Sequence, residues 1–426
     1  MEVKPGYKRT EIGVIPENWE VRRGFEITDL IGKGASPRWQ GFDYADHGML
    51  FVTSENVRDG YLDISNPKFL PLAFHEKLRR TQLGQNDILV NLVGASIGRS
   101  CRITQDIGAA NVNQAVAVFR LRDLRSAPFM EYFFQAPTTI KRILDMQADA
   151  ARPNISLGNL RQFSIPFPPL PEQHAIAEAL GDVDALLDAL TRLIAKKRDL
   201  KQAAMQQLFT GQTRLPGFGG EWEVVRFMDV ADKMIPWSIV GGPFGSNLKT
   251  SDYTAEGVRI IQLQNIGDGR FDDEYAIYTS EAKADELLSS NIYPGEIILS
   301  KMGDPVARAC FVPSEGRRYL MASDGIRLAV DARRFDKLFV HDFINSPYFT
   351  QQAIAASTGS TRRRIGLDEL KRLPFLAPPL TEQTEIAAVL SDMAADLTAV
   401  EARLAKTRAL KQGMMQELLT GRTRLV

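Results

Sequence analysis

The 426-residue sequence predicts an α+β protein in which two mixed α/β units repeat in tandem, each followed by one long helix. Three observations lead there. A stretch of the chain occurs twice. That stretch has the apolar spacing of a long helix. The remaining segments alternate short β-type runs, turn-rich loops and helical stretches.

The repeat comes first because it sets the architecture. Residues 168–215 begin PPLPEQHAIAEALGDVDALL and end LKQAAMQQLFTGQTRL, and residues 378–425 begin PPLTEQTEIAAVLSDMAADL and end LKQGMMQELLTGRTRL. The offset is 378 − 168 = 210, and about half of the 48 aligned positions are identical. Weaker matches extend outward: Trp19-Glu20-Val21 with Trp222-Glu223-Val224, Asp59-Gly60 with Asp268-Gly269, Asp87–Val90 with Glu296–Leu299, Gly94 and Cys101 with Gly303 and Cys310, and Ile155 and Leu157 with Ile365 and Leu367. The chain therefore divides into a unit over 1–167, a helix over 168–212, a second unit over 213–377 and a second helix over 378–426.

The helices follow from periodicity. Ile176, Leu180, Val183, Leu187, Leu190 and Ile194 step by 4, 3, 4, 3, 4, as do Ile386, Leu390, Met393, Leu397, Val400 and Leu404. That is a coiled-coil seam, and its double occurrence predicts that the two helices pack on each other. Pro171 suits a first helical position, Thr381 suits an N-cap, and Gly211 and Gly421 suit helix ends. Each helix spans about 40 residues, or about 60 Å. Near their ends, Met205, Leu208 and Phe209, and likewise Met414, Met415, Leu418 and Leu419, cover more than one face. A two-helix seam does not bury all of them, so they pack either on the globular units or on a partner protein's helices.

Within the units, Asp87–Val93, Val116–Leu121, Ile260–Leu263, Glu296–Leu299 and Ile326–Val330 read as strands, and the regions Pro128–Asp145 and Leu338–Ala356 read as helical. Turn-rich loops lie at Gly32–Pro37, Gly94–Ser100, Gly241–Ser246 and Gly303–Val306. The frameworks match while most loops differ, which suits two related but different targets.

Composition narrows the function. With 52 basic and 52 acidic residues the net charge is zero, which argues against a purely electrostatic nucleic-acid binder but not against local basic surfaces. The start of the chain lacks the apolar run of a signal peptide, and no stretch reaches the length of a membrane span; a reduced, cytoplasmic protein is expected. Cys101 and Cys310 hold equivalent places in separate units, so buried thiols are expected rather than a disulfide. There is no phosphate-binding G-x-x-x-x-G-K-[ST] loop and no G-x-G-x-x-G. Asn66-Pro67-Lys68-Phe69 only approaches the Asn/Asp-Pro-Pro-aromatic motif of amino-methyltransferases, and none of the four histidines has metal-ligand spacing with cysteine. Glu281-Ala282-Lys283 is at most half of a nuclease-type motif. No catalytic residue, metal site or bound cofactor is expected of this chain.

Reading a DNA sequence requires Arg, Lys, Asn or Gln held at base edges, with further donors to phosphates. In the first unit the candidates are Arg38 and Trp39, Ser96 and Arg99, Asn113 and Gln114, and Arg152 and Asn154. In the second they are Asn247 and Lys249, Gln264, Lys301, Arg308, and the loop of Ser360, Thr361, Arg362, Arg363 and Arg364, whose hydroxyls and guanidinia suit phosphate.

These motifs together resemble one family. The P-P-L-x-E-Q helix openings, the L-K-Q-x-x-M-Q-x-L-x-T-G endings, the two-unit repeat, the start Tyr7-Lys8-Arg9-Thr10-Glu11-Ile12-Gly13 leading to Ile15-Pro16-Glu17-Asn18-Trp19, and the string Gly242–Lys249 are similar to the specificity subunit of type I restriction–modification enzymes. The resemblance covers nearly the whole chain. It implies two target-recognition domains, each reading half of a bipartite site in double-stranded DNA, and two helices paired as an antiparallel coiled coil that sets the gap. It implies two methyltransferase subunits, carrying S-adenosylmethionine and methylating adenine N6, and separate motor/nuclease restriction subunits using ATP and Mg. Two other readings of the residues stay open. One is a coiled-coil adaptor with two ligand-binding lobes and no DNA. The other is an enzyme with a site assembled from dispersed residues such as Lys301, Asp304 and Asp324.

Overall fold

The computed structural model describes residues 4–146, 154–359 and 362–425. The chain forms two compact units, Met1–Thr191 with Ala402–Val426, and Arg192–Glu401. The division falls inside the long helices, Leu170–Phe209 and Leu380–Leu418, so each unit holds one α/β body and a part of both helices.

In the first unit a four-stranded antiparallel sheet runs in the order Thr28–Lys33, Val116–Leu121, Ile88–Asn91, Ser100–Arg102. A second sheet of Phe69–Leu70, Met49–Val52 and Ala110–Val112 includes one parallel pair, Leu50 with Ala110. Strand Glu20–Arg23 pairs with Ser164–Phe167 just before the first long helix. The second unit repeats this plan. Its four-stranded sheet is Ile239–Gly241, Gly325–Leu328, Ile297–Ser300, Ala309–Phe311, beside a five-stranded sheet whose Val258–Ile261 runs parallel to Tyr319–Met321. Glu223–Arg226 pairs with Pro374–Ala377.

The sequence repeat Asp87–Val90 and Glu296–Leu299 now has a physical reason. These fully buried central strands are apolar on both faces, as expected for strands covered on both sides. The acid that precedes each takes a bidentate guanidinium: Arg120 donates to Asp87 at 2.7 and 2.6 Å, and Arg327 to Glu296 at 2.8 and 2.7 Å. Cys101 and Cys310 are both buried and unpaired, opposite Leu89 and Ile298, and burial pushes each thiol up to about 12.

The two predicted helical regions are each broken by a proline. Ala127–Gln135 stops before Pro137–Asp145, and Lys337–Ile344 before Pro347–Ala355. Pro137 and Pro347 open their helices, where a missing N–H costs no intrahelical bond. Thr381 is not an N-cap: the second long helix already starts at Leu380, leaving Thr381 in the first turn. Gly211 and Gly421 do end the helices, at φ +68° and +71°, and their N–H groups return to Leu208 O and Leu418 O.

The seam residues do different work along their length. Ile176 and Leu180 sit in the core of the first unit, and Ile386 and Leu390 in that of the second. Farther along, Leu190 and Ile194 are buried. Val183, Leu187, Met393, Leu397, Val400 and Leu404 are half-buried. The helices lie antiparallel in both units: Glu172 pairs with Arg424 and Asp184 with Lys411 in the first, while Lys197 pairs with Asp396 and Arg214, just past the helix end, with Glu382 in the second.

The apolar helix ends are covered by the chain itself. Met415, Leu418 and Leu419 join the first unit's core, and Leu208 and Phe209 the second's, with Phe209 edge-on to Phe339 and Phe343 at 5.3 and 5.6 Å. Met205 and Met414 pack at the margins of these cores. Of the two ways to bury these seven residues, the structure supplies packing on the globular units. Leu208, Phe209, Met415, Leu418 and Leu419 are buried by this packing, while Met205 and Met414 stay half-buried.

The start of each repeated segment meets the end of the other in a clasp. In the first unit Glu172 is buried; Trp19 Nε1 donates to it at 2.8 Å, and Arg424 donates through Nε and, at 2.8 Å, Nη2. In the second, Glu382 accepts from Trp222 Nε1 at 3.1 Å and from Arg214 Nε and Nη2 at 2.6 Å each. Gln173 and Gln383 each donate to a proline carbonyl, Pro168 O and Pro378 O, at 2.8 Å. The P-P-L-x-E-Q, T-G-x-T-R-L and Trp-Glu-Val strings are thus parts of one buried ion-pair site made twice.

Candidate nucleic-acid interface

Each unit carries a polar cleft at the same place in its fold. In the first, a cleft of about 380 Å³ is lined by residues that include Ser54, Asn56, Arg58, Lys68, Ser96 and Arg99. Asn56 fixes one wall by accepting from Thr53 N at 2.8 Å and donating to Asp63 O at 2.9 Å. Buried Asn91 ties the walls together, donating to Ser54 O at 3.0 Å and Ser96 Oγ at 3.1 Å. In the second unit Asn265 repeats the turn, accepting from Gln262 N at 3.0 Å and donating to Asp272 O at 2.9 Å. The matching cleft, of about 650 Å³, includes Gln264, Asp268, Arg270, Asp304 and Arg308.

The electrostatics explain how a neutral chain can still present cations. In the first cleft the basic groups are already paired: Arg58 with Asp63 at 3.3 Å, Lys68 with Glu55 at 2.9 Å and Arg99 with Asp59 at 3.5 Å. Lys68 holds the Glu55 carboxyl below its ordinary value, and the Ser65 hydroxyl and amide do the same for Asp63. In the second unit Arg270 pairs with Asp272 at 3.0 Å. By contrast Arg38, Lys249, Arg308, Arg362 and Arg363 have no carboxylate partner within ion-pair distance among the described residues.

The structure also brings together sequence candidates that lie far apart. Ile365 N donates to Lys301 O at 2.9 Å, Gly303 N to Arg363 O at 3.2 Å, and Arg364 bridges to Met302, so the arginine loop lies against the Lys301 loop. Arg364 reaches Asp324 at 3.5 Å, and Lys301 Nζ donates to Ser323 O at 3.2 Å. Burial, with repulsion from Arg364, holds the Lys301 amine below the usual lysine value. Gln264 and Asp324 share a further cleft of about 240 Å³ with Phe244 and Leu248. Lys301, Gln264 and Arg364 thus form one cluster, with Arg308 in the adjoining cleft. Asp304 is exposed, while Asp324 takes its ion pair from Arg364 and gives Lys301 N only its backbone carbonyl.

In the first unit the same loop junction carries Asn154: Val93 bridges to Asn154 and Ile155 N donates to Leu92 O at 2.9 Å. Asn154 therefore holds the place of Arg364, and Leu92 that of Lys301. Ser96 and Arg99 belong to the same cleft wall. Asn113 is partly used internally, accepting from Ala115 N at 3.0 Å, while Gln114 is exposed. Arg38 and Trp39 stand on a separate exposed loop, whereas Asn247 and Lys249 are exposed on the loop whose Phe244 and Leu248 line the cleft with Gln264. Arg152, Ser360 and Thr361 lie outside the described residues.

Arg58, Lys68 and Arg270 line these clefts but escape a reading by residue type. The signal was present in the repeated Asp59-Gly60 and Asp268-Gly269 turns, which Arg58 and Arg270 flank. The tripeptide Glu281-Ala282-Lys283 opens a short helix and its carboxylate is engaged by Arg318. Among the described residues no group of three or more His, Cys, Asp or Glu is placed to hold a metal ion, and no helix is long and apolar enough to cross a membrane.

Comparison with known proteins places this geometry. A family model described as the type I restriction modification DNA specificity domain matches residues 16–199. The MjaVIII type I restriction enzyme specificity subunit of Methanocaldococcus jannaschii is 23% identical over 96% of this chain and 94% of that protein. The EcoKI specificity subunit of Escherichia coli K12 is 20% identical over 96% of this chain and 89% of that one. In structure, a chain from a study of type I R-M complex assembly and conformational transition aligns with TM-score 0.64 and 16% identity, covering 96% of this chain and 99% of that one. The HsdS subunit of Thermoanaerobacter tengcongensis aligns with TM-score 0.54 and 16% identity, covering 96% and 98%.

Proposed function

The chain matches the type I restriction–modification specificity-subunit family in family model, relatives and fold, and on that premise we propose that it selects the DNA site at which catalytic partner subunits act. The observation that carries the proposal is the duplicated cleft. Two units with one framework present the same cleft with an arginine in common, Arg99 and Arg308, but with different side chains at equivalent places: Leu92, Asn154 and Glu55 in one, Lys301, Arg364 and Gln264 in the other. Each unit reads one half of a bipartite duplex target, and the length of the paired helices sets the gap between halves. The chain performs no chemistry of its own. Two methyltransferase subunits dock on it, bring S-adenosylmethionine and methylate adenine N6 in each half after flipping the base. Motor/nuclease subunits using ATP and Mg join for cleavage.

The test is a genome-wide map of N6-methyladenine in a methylation-free bacterium expressing this chain with the methyltransferase encoded beside it. A two-part motif with a fixed gap is the expected result. Absence of methylation, with both proteins soluble and associated, would favour the reading as an adaptor with two ligand-binding lobes.

The arginine loop gives a narrower expectation. Replacing Arg362, Arg363 and Arg364 together by Ala should weaken duplex binding on the order of ten-fold and reduce the slope of log affinity against log salt by about 2.7, since each of the three lost phosphate contacts contributes about 0.9. Fluorescence anisotropy at several salt concentrations measures both. An unchanged slope removes the loop from the phosphate contacts.

A further inference from the structure

We propose that Trp39 and Phe244 are a matched pair of aromatic probes, one per unit, that stack on bases of the DNA half-site each unit reads. The inference rests on the function proposed above and adds residues and a contact type to it.

Trp39 is 90% exposed and Phe244 82% exposed, the highest values among the exposed large apolar side chains. A single exposed aromatic ring carries no message, because isolated apolar residues are common on surfaces. The placement of these two does. Each lies in the connection from the edge strand of the four-stranded sheet, Thr28–Lys33 or Ile239–Gly241, to the strand paired in parallel in the neighbouring sheet, Met49–Val52 or Val258–Ile261, the second connection passing through the two-residue strand Tyr253–Thr254 on the way. Each connection starts at a glycine pressed onto the opposite backbone. A Cβ at Gly34 would fall 1.6 Å from Val112 O, and one at Gly242 would fall 1.9 Å from Ala322 O. Gly34 N donates to Asn113 O and Gly242 N to Gly325 O. The two loops are thus rooted alike, although their sequences differ and the ring sits at a different step along each.

The surroundings favour bases over a protein surface. A protein-docking patch needs contiguous apolar area. Trp39 instead stands between exposed Arg38 and half-buried Gln40, and Phe244 precedes exposed Gly245, Ser246 and Asn247 with exposed Lys249 beyond. Neither Arg38 nor Lys249 has a carboxylate partner among the described residues. A lone ring flanked by an unpaired cation and an amide is a composition that wedges onto a base face opened by local unstacking of the duplex while gripping the adjacent backbone. The loops are also held. Lys77 Nζ donates to Gln40 O at 3.0 Å, and Asn247 N to Phe244 O at 2.8 Å. Phe244 lines the cleft that contains Gln264, which places the ring beside a side chain proposed to read bases.

Stacking has a signature distinct from phosphate contact. It does not release counterions, so its loss lowers affinity without changing the salt slope. The experiment uses the complex of this chain with its methyltransferase subunits and a duplex bearing the mapped methylation motif. Trp39→Ala and Phe244→Ala should each weaken binding by roughly 5- to 100-fold at unchanged salt slope. Trp39→Phe and Phe244→Trp should restore most of it. Scrambling the half-site read by the first unit should abolish the effect of Trp39→Ala but keep that of Phe244→Ala, and scrambling the other half should do the reverse. Unchanged affinity in the Ala variants overturns the proposal, as does a loss of methyltransferase from the purified complex, which would make the rings a protein contact. If the wild-type complex methylates no two-part motif, the functional reading fails first and the proposal falls with it. If it does methylate one while the Ala variants bind normally, only the stacking proposal fails.

Discussion

Replacing Glu172 by Ala is expected to lower the melting transition of the first unit by roughly 6–12 °C and to leave that of the second in place. Glu172 is buried and takes three donated hydrogen bonds, from Trp19 and from both Nε and Nη2 of Arg424. Removing it strands the Trp19 N–H and the Arg424 guanidinium. Breaking a buried pair from one side costs on the order of 3 kcal/mol, because the remaining partner loses its compensation. One kcal/mol corresponds to about 2–4 °C in a unit of this size. Glu382→Ala should act on the second unit in the same way, through Arg214 and Trp222. Differential scanning calorimetry resolves the two transitions. A shared shift in both, or none in either, would show that the clasps do not hold the units separately.

The largest functional effect is expected from lengthening the helices. Four residues inserted between Thr191 and Arg192, with four more between Glu401 and Ala402, add one turn to each helix at the places where the chain passes from one compact unit to the other. The clasps and the ion pairs Asp184–Lys411, Lys197–Asp396 and Arg198–Glu401 all lie within units, so their partners keep their registers. One turn adds about 6 Å, close to two base pairs of duplex. The methylated motif should keep both half-sequences while its gap grows by one or two base pairs. Methylation mapping reads this directly, and an unaltered gap would sink the idea that the helices act as a ruler.

The sequence carried the frame of this protein well and its sites less well. The doubled seam and the doubled motif ends pointed to two long helices, because a 3.5-residue apolar period sustained over several turns has few alternatives; the second helix ends at Leu418, well short of 426. Val116–Leu121 is a strand over its whole expected length. The prolines at 137 and 347 split two helical regions that propensity alone reads as continuous. The apolar ends such as Phe209 and Met415 stayed ambiguous because an apolar face does not say what covers it. Only the fold shows Phe209 against Phe339 and Phe343. The site suffered from the same locality. Ile155 and Ile365 align in sequence, but that Asn154 and Arg364 therefore occupy one structural place depends on bridges to Val93 and Met302. Phe244 and Trp39 share no alignment at all; a common strand connection relates them.

The clasps also impose an order of assembly. The second unit, Arg192–Glu401, is one uninterrupted stretch, whereas the first is Met1–Thr191 completed by Ala402–Val426. On a ribosome, Arg214, Trp222 and Glu382 can meet as soon as the second unit has emerged, while Trp19 and Glu172 wait for Arg424, which follows every residue of that unit. The part of the protein made first is therefore finished last. Until then its apolar groove for Met415, Leu418 and Leu419 stands open, so nascent-chain aggregation and chaperone binding should concentrate on the N-terminal half.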